Sequence, residues 1–184
     1  MPVWTRGAEA AEILAPFPQK LAVTAFGNSA STPAQGVVGE IVAFDSVADL
    51  MAAPDSAVRG KIVFVSHAMP RTQDGSGYGF FGGPRRQGPS IASRKGAIAI
   101  VVRSIGTDYH RNPHTGVQSF AEGVRPIPAG ALAVRNAGPP PAGTGTSRSS
   151  GRATSRSPPR SRSAGWSRTT RALTCPVFHF PSTL

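Results

Sequence analysis

Between Gly106 and Gly116 the sequence GTDYHRNPHTG brings Asp108, His110 and His114 within seven residues, one carboxylate and two imidazoles, with His67 available as a further donor. Nitrogen and oxygen donors of these kinds suit zinc. Their spacing does not organise them: His110 and His114 share a face only on a helix, and Pro113 between them opposes one. A loop turned toward a substrate accounts for the same residues, with Thr115 beside His114. Upstream, DGSGYGFFGGP (residues 74–84) offers the glycines of a phosphate cradle. It lacks both the GxGxxG spacing between strand and helix and a terminal Gly-Lys-Ser/Thr, so a turn and a flexible lid are the better reading. No GxSxG elbow supplies a strained serine nucleophile. Arg103 and Ser104 end an apolar run, and beside Tyr78 and Arg85 or Arg86 they would form a polar patch; ordinary loop solvation is the better reading of them.

The elements that must position these loops follow from periodicity. GAEAAEIL (residues 7–14) is rich in helix formers with Glu in the first turns, and Pro16 and Pro18 stop it. LAVTAFG (21–27) reads as a short strand, and VVGEIVAF (37–44) as a strand apolar on both faces. Asp45 or Ser46 caps a short helix through SVADLMAA, closed by Pro54. RGKIVFVS (59–66) and AIAIVVRS (97–104) are the clearest strands, with SIASRKG (90–96) a helix between them that ends on its glycine. Strand, helix and strand in this order suggest a right-handed crossover. Loops at 67–89 and 105–128 exceed the length of mere connectors, and AGALAV (129–134) follows as a last short strand.

Charge divides the chain. Residues 1–137 hold 13 Lys+Arg and 9 Asp+Glu, whereas residues 138–184 hold 7 Arg and no acid. A body of 137 residues can bury about two-thirds of its unfolded surface, enough for a core. In the remaining 47 residues all but eight are Gly, Pro, Ala, Thr, Ser or Arg, so a disordered basic tail is expected. Its stretch SRSSGRATSRSPPRSRS could neutralise nucleic-acid phosphates. The single Cys175 excludes an intrachain disulfide and gives no sign of catalysis.

Several of these motifs occur together in one family. VWTRGAEAAEIL from Val3, STPAQG from Ser31, GKIVFV from Gly60, RTQDGSGYG from Arg71, GPSIASRKGAIAIVVRSIGTDYHRNPHTG from Gly88 and IPAGALAV from Ile127 resemble, in order, the di-zinc exopeptidases of metallopeptidase family 28, in the bacterial part of the plasma glutamate carboxypeptidase-like branch. The resemblance covers residues 2–137 and falls on the protease-associated (PA) domain inserted into the peptidase domain. It implies an α+β, β-rich PA-type barrel or sandwich with short flanking helices, which caps or borders the substrate cleft and carries no zinc ligand.

In the intact family two zinc ions are held by the peptidase domain, through a HxD motif, a bridging acid, a Glu-Glu pair and a late His. The four histidines here, at 67, 110, 114 and 179, have no acid two places on. Without paired metals, peptide hydrolysis lacks its activated water and its Lewis acid. The expectation is a non-catalytic, substrate-capping unit of a zinc-dependent aminopeptidase or carboxypeptidase, with no catalytic or metal-binding residue and no cofactor of its own. Tyr78, Arg103, His110, His114 and Thr115 would face a peptide substrate or the peptidase domain. The alternative is a stand-alone binding module whose basic tail takes nucleic acid. Because the resemblance stops abruptly at Ala137, residues 138–184 are expected to be read out of frame. The family is typically exported, but the N-terminus has neither a basic start nor an apolar stretch, and no run approaches a membrane span. The chain is therefore expected to stay in the cytoplasm and to have no membrane partner.

Overall fold

The structure, a computed structural model, describes residues 4–71, 73–107 and 110–137 and the backbone of Thr174–Cys175. The chain opens with β1 (Ala11–Ile13) and β2 (Gln19–Leu21), an antiparallel ribbon in which Glu12 faces Lys20. β3 (Val23–Ala25) then joins the main sheet, followed by β4 (Gly39–Phe44), helices α1 (Val47–Ala52) and α2 (Asp55–Val58), and β5 (Ile62–Val65). Helices α3 (Tyr78–Phe81) and α4 (Gly83–Arg94) lead to β6 (Ala99–Arg103). A long loop returns to β7 (Ala129–Leu132), and a single 3-10 turn covers Val134–Asn136. The two residues Thr174–Cys175 form β8.

The main sheet runs β3-β7-β6-β5-β4-β8. Its centre, β4 to β7, is parallel, and β3 and β8 pair antiparallel at the two edges. Parallel strands covered on both faces read as continuous apolar runs, which is why IVFV and AIVVR were legible as strands. Side chains alternate between two cores. Val63, Val65, Ile100 and Val102 pack under α1 and α4 with Leu50 and Ala92. Ile62, Val101 and Leu132 pack on the other face with Ala11 and Val23. The fold is therefore α+β and strand-rich with short flanking helices, and among the described residues its sheets are this mixed sheet and the β1–β2 ribbon.

Local chemistry sets the element ends. The Ser46 hydroxyl accepts from the Asp49 amide at 3.1 Å and donates to the Asp49 carboxylate at 2.6 Å, which caps α1. α4 ends in a Schellman motif: Ala97 N–H donates to Ala92 O, Gly96 N–H donates to Ser93 O, and Gly96 takes φ 81°. At Gly130 a Cβ would lie 2.9 Å from the Thr24 carbonyl oxygen, so β3 can approach β7 only because residue 130 has no side chain.

Three expectations change. The helix over residues 7–14 is absent; the segment is extended into β1. Arg6 donates to Ala25 O and pairs with Glu9 at 3.1 Å, and Glu9 accepts from Ala25 N–H at 2.8 Å, so side chains bind the free edge of β3 and override helix propensity. α4 begins at Gly83, seven residues before the expected start. Pro84 sits in its first turn, where no amide is needed, and Gly88 and Pro89 lie on its buried face, so packing carries a helix through a Gly/Pro-rich sequence. The loop expected over 67–89 is correspondingly shorter. The disordered tail expected over 138–184 lies outside the described residues, except for β8, whose Thr174 and Cys175 pair with Glu40 and Gly39.

Candidate functional site

α3, the start of α4, the end of β6 and the loop after it surround a small cleft. Tyr78, Phe81, Arg85, Arg103, Ile105 and His114 line it. Each reaches it through its element. Tyr78 and Phe81 are one turn apart on α3, Arg85 is in the first turn of α4, and Arg103 is the last residue of β6. His114 is held from the loop: its amide donates 2.9 Å to the buried Ser104 hydroxyl, one residue past β6. The cleft is small, with room for about one water-sized group.

Tyr78 and His114, 36 residues apart in sequence, form its central contact. The phenol oxygen lies 2.7 Å from His114 Nε2 and the rings meet edge to face at 5.7 Å. When His114 is protonated on Nδ1, the phenol donates to Nε2. Arg85 Nη1 donates 2.8 Å to Val117 O across a closely packed Gly116. Arg103 Nη1 donates 3.2 Å to Ala137 O, while its Nε is buried with no partner among the described residues. Ser66 Oγ donates to the same Ala137 carbonyl. Beside the cleft, His67 packs against Phe81 and Phe80, with ring centroids 4.7 and 5.5 Å away, and its Nδ1 is buried with no partner among the described residues. Phe80 itself is 72% exposed and Tyr78 43%, giving the rim an aromatic surface.

Of the residues singled out from the sequence, Tyr78, Arg103 and His114 meet at this cleft. Thr115 does not line it; its hydroxyl donates 2.8 Å to Ala25 O and ties the loop to β3. His110 is exposed and outside the lining, and Asp108 lies outside the described residues. The residues that sequence reasoning missed are Phe81 and Ile105. The only trace of Phe81 is the FF pair in a stretch read as loop, and nothing marks Ile105.

The donor set does not fit the zinc ions of the family. Among the described residues no three His, Cys, Asp or Glu side chains come close enough to hold a metal ion. His114 Nε2 is engaged by Tyr78, and the Ser104 hydroxyl accepts from a backbone amide. The cleft brings together two arginines, a phenol–imidazole pair and aromatic walls. Among the described residues no helix is long and apolar enough to cross a membrane.

No protein-family model matches the chain. Human carboxypeptidase Q is 34% identical over 137 residues, which is 74% of this chain and 28% of the human protein. Carboxypeptidase Q of Xenopus laevis is 32% identical with the same coverages. A solved peptidase M28 precursor from Shewanella amazonensis SB2B is 47% identical with a TM-score of 0.71, over 74% of this chain and 31% of that one. The chain thus spans less than a third of the length of these relatives. Over the part that aligns, with its mixed sheet and short helices, this chain is a family-28 metallopeptidase-like region, similar to carboxypeptidase Q.

Proposed function

We propose that residues 1–137 form a non-catalytic domain that borders the substrate cleft of a zinc-dependent exopeptidase, with the Tyr78–His114 rim turned toward peptide. The observation that carries this reading is the convergence of Tyr78, Arg103 and His114 from three separate elements on one binding cleft. The similarity to carboxypeptidase Q and to a peptidase M28 precursor supports peptide as the ligand class. In this reading the zinc ions and the hydrolytic step belong to the peptidase domain of the family, and this chain's residues orient the peptide and exclude water from its edge.

The test is a titration of the isotopically labelled full chain with an unstructured dipeptide, followed by amide chemical shifts. Shifts confined to residues near Tyr78, Arg103 and His114 are expected. Shifts that scatter over the surface, or centre on the opposite face of the sheet near Ala11 and Val23, contradict the reading.

The same proposal divides the chain at Ala137 and takes residues 138–184 to be read out of frame. A truncated chain of residues 1–137 should then keep the melting temperature of the full chain. The DNA downstream of codon 137, translated in the other two frames, should encode a HxD-containing peptidase segment; if neither frame does, the out-of-frame reading fails.

A further inference from the structure

We propose that the outer edge of β4 is a strand-addition site, and that the segment of this chain ending at Cys175 fills it and shields it from a second copy. The two edges of the main sheet are built differently. At β3 side chains occupy the edge: Ala25 N–H donates to Glu9, and Ala25 O accepts from Arg6 and Thr115. At β4 a strand does so, and only in part. β4 has six residues, and β8 pairs antiparallel with two of them, Gly39 and Glu40. Unpaired main-chain groups on an edge are a template for any extended chain.

The usual guards of an edge strand are missing from β4. GEIVAF contains neither Pro nor Lys, and its one charge, Glu40, lies 3.1 Å from Lys61 Nζ. Apolar, β-rich strands of this length and low charge associate readily with other strands. The side chains beside the edge set what fits it. Val42 packs partly buried on the core under α1 and α4, and Ile41 packs partly buried on the opposite core, beside which Ile13 of β1 also lies. β8 contacts β1 as well. A strand apolar on both faces therefore covers the most surface there. The run ALTC (residues 172–175) carries no charge, and Pro176 after it lacks the N–H needed to continue a ladder. Tethering to the same domain favours this segment over a free chain. Main-chain bonds accept any extended sequence, so a stretch read out of frame fills the edge as well as one in frame. A ladder of two residues changes association rather than the melting of residues 1–137.

The test compares the full chain with Thr174→Pro by amide chemical shift and by sedimentation. Proline at position 174 cannot hold the ladder. It should move the amide signals of Gly39, Glu40 and Ile41, leave those of Ile100 and Val102 in the centre of the sheet unchanged, and raise the average mass in solution at the same protein concentration. A nitroxide on Cys175, the chain's only cysteine, should broaden the same three β4 signals and lose that effect in Thr174→Pro. In a mixture of nitroxide-bearing chains with isotopically enriched chains that carry no nitroxide, these signals should stay sharp. Broadening in the mixture means that a second copy supplies the strand, and this overturns the inference. Unchanged β4 signals in either comparison overturn it as well. Equal masses for the two chains overturn the shielding of the edge.

Discussion

Gly130→Ala places a methyl group 2.9 Å from the carbonyl oxygen of Thr24, with the Thr24 carbonyl carbon and Val23 Cγ2 both at 3.4 Å. The nearest atom is backbone and cannot rotate away, so β3 must move off β7 along the pairing of Val23, Thr24 and Ala25 with Leu132, Ala131 and Gly130. Overpacking of this kind costs about 1–3 kcal/mol. For a domain of this size each kcal/mol lowers the melting temperature by about 3–4 °C, so a drop of about 3–12 °C is expected. The displacement should also reach the cleft, because Ala25 O accepts from Thr115, the neighbour of His114. Thermal unfolding by circular dichroism is the assay, with Gly83→Ala as control. A Cβ at Gly83 meets nothing within 4 Å, and the residue opens α4, so that variant should melt at the same temperature or higher. A Gly130→Ala melting temperature within 1 °C of the parent, or an equal fall in the control, would refute the argument from close approach.

Two further changes probe the elements that hold the site. Ser46→Ala removes the hydroxyl that caps α1 and should cost about 1 kcal/mol in denaturant unfolding at unchanged slope. Ile100→Ala empties a fully buried position between β6 and α4, where Ile100 Cδ1 faces Gly88, and should cost about 2–5 kcal/mol by the same measurement.

How much of this was legible in the sequence depended on whether local chemistry agreed with tertiary packing. β5 and β6 could be read because strands buried on both faces have no polar side to confuse the pattern. The stop at Gly96 could be read because a Schellman motif requires a left-handed residue there. The start of α4 could not, since GGPRRQGP has the composition of a loop and becomes helical only with Pro84, Gly88 and Pro89 buried. The N-terminal segment misled for the opposite reason. Its helix formers are real, but Arg6 and Glu9 gain more from the edge of β3 than from a helix of their own.

The cleft was partly legible. Tyr78 and His114 stood out by residue type in two long loops and Arg103 at the end of a strand, yet nothing in their spacing could show that a phenol and an imidazole 36 residues apart would touch. Residue type alone put Asp108, His110 and His114 forward as metal donors, while the structure engages His114 with Tyr78 and leaves His110 exposed outside the cleft. A short sequence separation between donors does not bring them to one point unless an element holds them there.

The central claim is that this chain contributes peptide contacts and leaves hydrolysis to a zinc-binding domain. Incubation of the purified full chain with dipeptides and added zinc, with released amino acids quantified over time, tests it most directly. The account predicts no turnover above the protein-free control, under conditions in which the same dipeptides shift the amide resonances around Tyr78 and His114. Zinc-dependent turnover by this chain alone would contradict it.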